Sequence, residues 1–128
     1  MATRVAVAIL RRAGTVLVCQ RKKGARYELK WEFPGGKLEP NETTVQSLER
    51  ELREELSIQL LGISRIELQT ADYSDGGTFQ VAYCSISEFS GEPVNNVFQE
   101  IRWVSLEELR GLDILEGNRD FVKRLTHE

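Results

Sequence analysis

One histidine, one methionine, two cysteines and three prolines occur in 128 residues. The histidine, His127, sits where chain ends fray, and is read as incidental. Cys19 and Cys84 each lie inside an apolar, strand-like run and read as buried free thiols. No Cys-x-x-Cys or Cys/His spacing suggests zinc. A reducing, cytoplasmic compartment is the expectation that follows. Long hydrophobic runs are also missing. The first apolar stretch ends at Arg11 and Arg12, too short for a membrane span and without a signal-peptide cleavage pattern. No membrane partner is expected. Nor is there an excess of positive charge: the formal net charge is −3, which argues against gripping long nucleic acid by its phosphates. A small nucleotide stays open, because a few local cations and a metal can neutralise a triphosphate. Internal repeats, low-complexity tracts and linkers are absent as well.

What remains is an ordinary globular balance, 41% hydrophobic and 29% charged, in a length that fits one compact domain over residues 1–128. Val5–Leu10 and Thr15–Gln20 read as strands joined by a turn at Arg11–Gly14. Trp31–Leu38, centred on Pro34-Gly35-Gly36, reads as a loop passing into a short extended piece. From Thr43 to Leu56 the period becomes helical, with Val45, Leu48, Leu52 and Leu56 at three- and four-residue steps. Thr43 and Gln46 supply a capping box at its start. Further strands are expected at Ile63–Thr70, Thr78–Glu88 and Ile101–Val104, with turns at Asp75-Gly76-Gly77 and Ser90-Gly91-Glu92-Pro93. Ser105 and Glu108 would cap a short helix to Arg110. Asn118 would cap a last helix through Phe121, Val122 and Leu125. The pattern predicts an α/β (α+β) fold with a mixed sheet between helices.

On the central helix Glu51, Glu54 and Glu55 stand at i, i+3 and i+4, which gathers three carboxylates on one face beside the apolar stripe. Such like charges destabilise a helix by a few tenths of a kcal/mol per pair, roughly. A hard cation would remove that repulsion, since Mg²⁺ prefers carboxylate oxygens and retains several waters. The competing explanation is a solvated acidic face laced by pairs such as Glu49 to Arg53.

The wider pattern favours the cation. Gly36, Glu42, Arg50-Glu51, Leu52, Glu54-Glu55 and Ile58 reproduce the spacing of the Nudix hydrolase signature, except that its last glycine is Ser57 here. Six fixed matches arise by chance in about one chain in 10⁵, from average residue usage. The chain therefore resembles the Nudix hydrolases. Trp31-Glu32-Phe33-Pro34-Gly35-Gly36-Lys37 is similar to the approach to the signature in their MutT branch. That likeness extends, more weakly, through Gly91-Glu92-Pro93 and Trp103 to Asn118. Ser57 stands where glycine would supply a left-handed turn, at a cost of about 1 kcal/mol for a residue with a Cβ.

The resemblance implies a Nudix α/β/α sandwich and Mg²⁺-dependent hydrolysis of a nucleoside triphosphate to monophosphate and pyrophosphate, with Mn²⁺ as a possible replacement. It implies metal ligands from Glu51, Glu54, Glu55 and the Gly36 carbonyl, with Arg50 orienting Glu51 and Glu42 supporting the loop. Glu51, Glu54 or another loop glutamate would accept the proton from water. Phe33 would line the base pocket, Arg21 and Lys37 would lie near phosphates, and Asn118 would read an oxidised guanine. Each has a plainer rival: core packing for Phe33, surface charge for Arg21 and Lys37, and helix capping for Asn118. Relatives in the branch often carry an acidic residue where Val97 stands, so Glu100 is expected to substitute. Nucleotide sanitation of 8-oxo-dGTP, with its place in DNA repair, or a cytidine triphosphate substrate is the leading expectation. ADP-ribose, a dinucleoside polyphosphate, or a non-catalytic nucleotide-binding domain are the alternatives. A monomer or a homodimer fits either.

Overall fold

Alternation along the first strand decides how the layers assemble. In β1 (Thr3–Ile9), Val7 and Ile9 enter one buried cluster, while Ala6 and Ala8 enter another on the opposite face. The alanines leave room for a helix to approach closely, and α1 (Thr44–Leu56) does so with Leu48, Leu52 and Leu56 fully buried. Burying each leucine contributes about 2 kcal/mol. The opposite cluster packs against α2 (Leu106–Arg110) and α3 (Arg119–Leu125) through Leu109, Val122 and Leu125. The computed structural model describes residues 2–127.

The remaining strands are β2 (Arg11–Arg12), β3 (Thr15–Gln20), β4 (Trp31–Glu32), β5 (Gly35–Lys37), β6 (Gln59–Asp72), β7 (Thr78–Ser90) and β8 (Glu100–Ser105). They form two sheets rather than one. The first runs β5-β1-β7-β6 and is mixed, with β1 parallel to β7 and antiparallel to β5. In the second, β3 pairs antiparallel with β2, β4 and β8. The mixed sheet between helices is the α+β architecture expected. No helix among the described residues is long and apolar enough to cross a membrane.

Three local expectations need correction. The first turn is shorter than Arg11–Gly14, because Arg11 and Arg12 pair with Val16 and Thr15 and leave Ala13-Gly14 to reverse the chain. β6 begins at Gln59 rather than Ile63; register shifts between Leu60 and Arg65 break the alternation that would have revealed it. Asn118 makes no side-chain cap to α3; it ends a 3₁₀ turn, Glu116–Asn118, and its amide is used elsewhere. The capping boxes of α1 and α2 form as expected.

The end of α1 is fastened from outside the helix. Ser57 takes a left-handed conformation, φ 57° and ψ 33°, so the chain turns as a glycine would turn it. Val94 N–H donates to Leu56 O at 2.8 Å, and Asn96 N–H to Glu55 O at 3.0 Å. Asn96 Nδ2 donates to Glu54 O at 3.1 Å and to Ser57 Oγ at 2.9 Å. The loop after β7 thus satisfies carbonyls that a helix end leaves open.

Candidate active site

Two glycines bring the loop before α1 against both β1 and the helix. Gly35 has φ 144°, and a Cβ there would stand 2.1 Å from the Ala6 carbonyl oxygen. A Cβ on Gly36 would stand 2.8 Å from the Glu51 carboxylate. Only glycine lets the carboxylate lie directly on the loop backbone. Gly35 N–H also donates to Glu55 Oε1 at 3.0 Å.

Arg50 organises the acidic face. Its Nε and Nη2 hold both oxygens of Glu42, at 2.8 and 3.0 Å, a two-pronged geometry that only a guanidinium offers. Nη1 donates to Glu51 Oε1 at 2.7 Å and, more loosely, to Glu54 Oε2 at 3.4 Å. Nη2 also reaches the Lys37 carbonyl at 3.2 Å. Hydrogen bonds from Arg50 hold the Glu42 carboxyl down at about 2. The side chains of Glu42 and Glu51 are 12% and 15% exposed, against 59% for Glu54, so Glu54 is the most open to solvent of these three.

Glu55 faces inward. Burial, and then the neighbouring Glu51 charge, push its carboxyl up to about 9. Glu32, beside it in the electrostatic environment, is pushed up to about 7 by burial, with Arg21 opposing. Carboxylates sunk this close together need a proton or a cation between them, and hard oxygen donors on a glycine-lined loop suit a divalent cation. Among the described residues, no three His, Cys, Asp or Glu side chains stand ready to enclose an ion alone. The fit is therefore to a cation that also takes oxygens from backbone, water and substrate, as Mg²⁺ does.

A cavity of about 480 Å³ opens from this end. Glu55, Gly35, Gly36 and Lys37 line it, and so do Tyr73, Phe79, Leu115 and Asn118. Asn118 is 4% exposed. Arg21 lines the cavity but is committed: Nε donates to the Arg26 carbonyl at 2.6 Å and Nη1 to Glu32 at 3.1 Å.

The loop between β3 and β4 supplies more of the wall. Tyr27 and Leu29 hold left-handed conformations there, which are strained for residues with a Cβ. The surroundings hold that strain in place. Asp75, at the β6–β7 turn, accepts from Tyr27 OH at 2.7 Å and Arg26 Nη2 at 2.8 Å, and the Tyr27 and Tyr73 rings meet at 4.9 Å. Tyr27 and Tyr73 did not stand out in the sequence, and Asp75 did so only as a turn residue, because their partners lie far apart in the chain.

Two sequence expectations do not fit this geometry. Phe33 is 2% exposed and does not line the cavity; its ring packs edge-on against Tyr83 and Phe121, in the core. Glu100 opens β8 with its carboxylate on Arg102 at 2.7 Å, and it too is absent from the cavity wall. Strand pairing of Glu100 with Gln20 fixes the backbone there, so no loop remains to re-aim the side chain. Val97 itself lines the cavity.

The family model for the NUDIX domain matches residues 1–125. An 8-oxo-dGTP diphosphatase of Haemophilus influenzae is 32% identical over 97% of this chain and 91% of its own length. A CTP pyrophosphohydrolase of Escherichia coli is 35% identical over 81% of this chain and 76% of its own. The crystal structure of a MutT protein from Methanosarcina mazei superposes with a TM-score of 0.84 at 25% identity, covering 96% of this chain and 91% of that one.

Proposed function

The chain belongs to the Nudix family as a MutT-like hydrolase of acid anhydrides, and on that premise we propose that it cleaves a nucleoside triphosphate to monophosphate and pyrophosphate. The observation that carries this reading is one cavity lined both by acidic side chains with a glycine loop and by aromatic residues with a buried amide. A triphosphate needs the first and a base needs the second. The proposed base is an oxidised guanine, read by Asn118, and the whole chain is taken as one Nudix domain.

Members of the family act on small nucleotide substrates and generally use a divalent metal. We take the metal here as Mg²⁺, which Mn²⁺ can replace. Glu51, Glu54, Glu55 and the Gly36 carbonyl would hold it. When bound, it supplies charge neutralisation on the phosphates and a lowered pKa for the attacking water. Arg50 aims Glu51 and keeps the loop and helix in register through Glu42. Glu54, the exposed carboxylate, and Glu51 are the two candidates to take the proton from water. Lys37, in the glycine loop beside Glu55, is the cation we assign to a phosphate, since Arg21 already serves Glu32. Phosphoryl transfer asks mainly for such positioning and charge balance.

The E. coli relative's activity on CTP supports a cytidine triphosphate as the second reading. The test is a panel of 8-oxo-dGTP, dGTP, CTP, ADP-ribose and a dinucleoside polyphosphate with Mg²⁺, analysed for monophosphate and pyrophosphate. Fastest release of pyrophosphate from 8-oxo-dGTP is expected. Turnover of ADP-ribose alone would overturn the triphosphate reading.

A further inference from the structure

Behind Asn118 stands a phenol that the chemistry above does not use. Tyr83, on β7, is 1% exposed; its ring stacks flat on Phe121 at 4.0 Å and edge-on to Phe33. Its hydroxyl lies 3.1 Å from the Gly117 carbonyl oxygen and 3.0 Å from Asn118 Nδ2. A carbonyl only accepts, so the single phenolic proton goes to Gly117 O. What faces Asn118 is then a phenol lone pair. The amide must turn its NH₂ toward it, because Oδ1 there would set lone pair against lone pair. Burial pushes the phenol up to about 12, so the proton stays on it at neutral pH.

One amide proton of Asn118 is thereby taken. Oδ1 has no partner among the described residues, and Ser47 Oγ is the one buried side-chain oxygen or nitrogen left orphaned there, so Oδ1 is open to the cavity that Asn118 lines. The cavity is offered an acceptor, Oδ1, with a single N–H beside it.

We propose that Tyr83 is a positioning residue for base selection: by holding the Asn118 amide in one orientation, it tunes the cavity to a lactam edge and against an amidine edge. A lactam edge carries a ring N–H next to a carbonyl. Guanine has one at N1–H and the C6 carbonyl; oxidation at C8 gives 8-oxoguanine a further one on its other edge, because N7 turns from an acceptor into an N–H flanked by the C8 and C6 carbonyls. Cytosine has the reverse order, an acceptor N3 beside an amine, and would need the amide flipped. The inference rests on the reading that Asn118 contacts the base, and it ranks the 8-oxoguanine nucleotide above the cytidine nucleotide for a stated reason.

The experiment compares kcat and KM for 8-oxo-dGTP and dCTP in the wild type, Tyr83→Phe, Asn118→Ala and the double variant. Tyr83→Phe keeps the ring and its stacking. It should lower the 8-oxo-dGTP preference in kcat/KM roughly fivefold, the fold-change of one neutral hydrogen bond. The change should appear in KM, with kcat within about twofold. Asn118→Ala should lower the preference at least as far, and the double variant no further. If Asn118→Ala lowers it and Tyr83→Phe leaves it intact, the positioning role is wrong while base contact by Asn118 stands. If Asn118→Ala leaves it intact, base contact fails and the positioning role with it. An equal loss of kcat on both nucleotides in Tyr83→Phe also overturns the role, as a purely structural effect. Should Tyr83→Phe not fold, the wild type decides: one Asn118 side-chain amide proton should show a nuclear Overhauser contact to the Tyr83 ring. Neither proton showing it overturns the proposal.

Discussion

Ser57 offers a clean measurement, because two opposed effects meet at one residue and can be separated. Its backbone is left-handed, φ 57°, where a Cβ costs about 1 kcal/mol. Its hydroxyl accepts from Asn96 Nδ2 at 2.9 Å in an exposed setting, worth about 0.5 kcal/mol. Ser57→Ala keeps the strained Cβ and deletes the hydroxyl, so it should destabilise by about 0.5 kcal/mol. Ser57→Gly deletes both. The gap between glycine and alanine variants then reports the backbone alone and should be about 1 kcal/mol in favour of glycine. For a domain of this size that is about 3–5 °C in Tm. Urea unfolding followed by circular dichroism, with equal m-values across the set, is the assay. Turnover should stay within about twofold, as Ser57 lies outside the cavity wall. Alanine and glycine variants of equal stability would refute the reasoning.

Glu54→Gln should cut kcat by at least about 100-fold, the scale of losing a transition-state stabiliser, while the melting temperature in a chelator stays level; unchanged turnover would remove Glu54 from the site. Glu42 contributes stability above its ordinary value of 4.5, and this is lost as pH falls through about 2, because the folded carboxyl is depressed by Arg50. Glu42→Gln should therefore flatten the acid limb of the stability curve between those values, as read from urea midpoints at a series of pH values. In Gly117→Ala a new Cβ would stand 2.4 Å from the Tyr73 hydroxyl and ring, so Tyr73 must move. About 1–3 kcal/mol of stability should go, as overpacking costs, and KM should rise because Tyr73 lines the cavity; an unchanged melt would show that the turn gives way freely.

Much of this was open to a reading of the chain because it is local. Leu48, Leu52 and Leu56 announce α1 by their period, and Thr43 with Gln46 marks its start within three residues. The acidic face and its glycine loop are likewise short in sequence. What could not be read depends on partners far away. Asn118 precedes a helix and so looked like a cap, yet its amide goes to Tyr83, 35 residues earlier. Phe33 stood between the base pocket and the core, and the loop passes over the core and drops the ring into it. Glu100 was expected to substitute for the acidic residue absent at Val97, but pairing with β3 holds it in β8. Tyr83 was one more aromatic residue in a strand; nothing local distinguishes a phenol that holds an amide from one that only packs.

The two ends of α1 are secured on different schedules. At the front, Thr43 and Gln46 cap the helix from three residues apart. At the back, the Glu54 carbonyl waits for Asn96, 42 residues further on, and its neighbours wait for the same loop. Closing a chain segment of that length carries an entropic cost that must be met before those bonds form. We therefore expect the front half of the helix to belong to the folding nucleus, and the half that bears Glu51, Glu54 and Glu55 to be ordered only after β7 is in place. Substitutions at Thr43 should slow folding, whereas substitutions at Asn96 should chiefly speed unfolding. The acidic end of the helix is then a late acquisition of each folding event, and the first part to be surrendered when the fold opens.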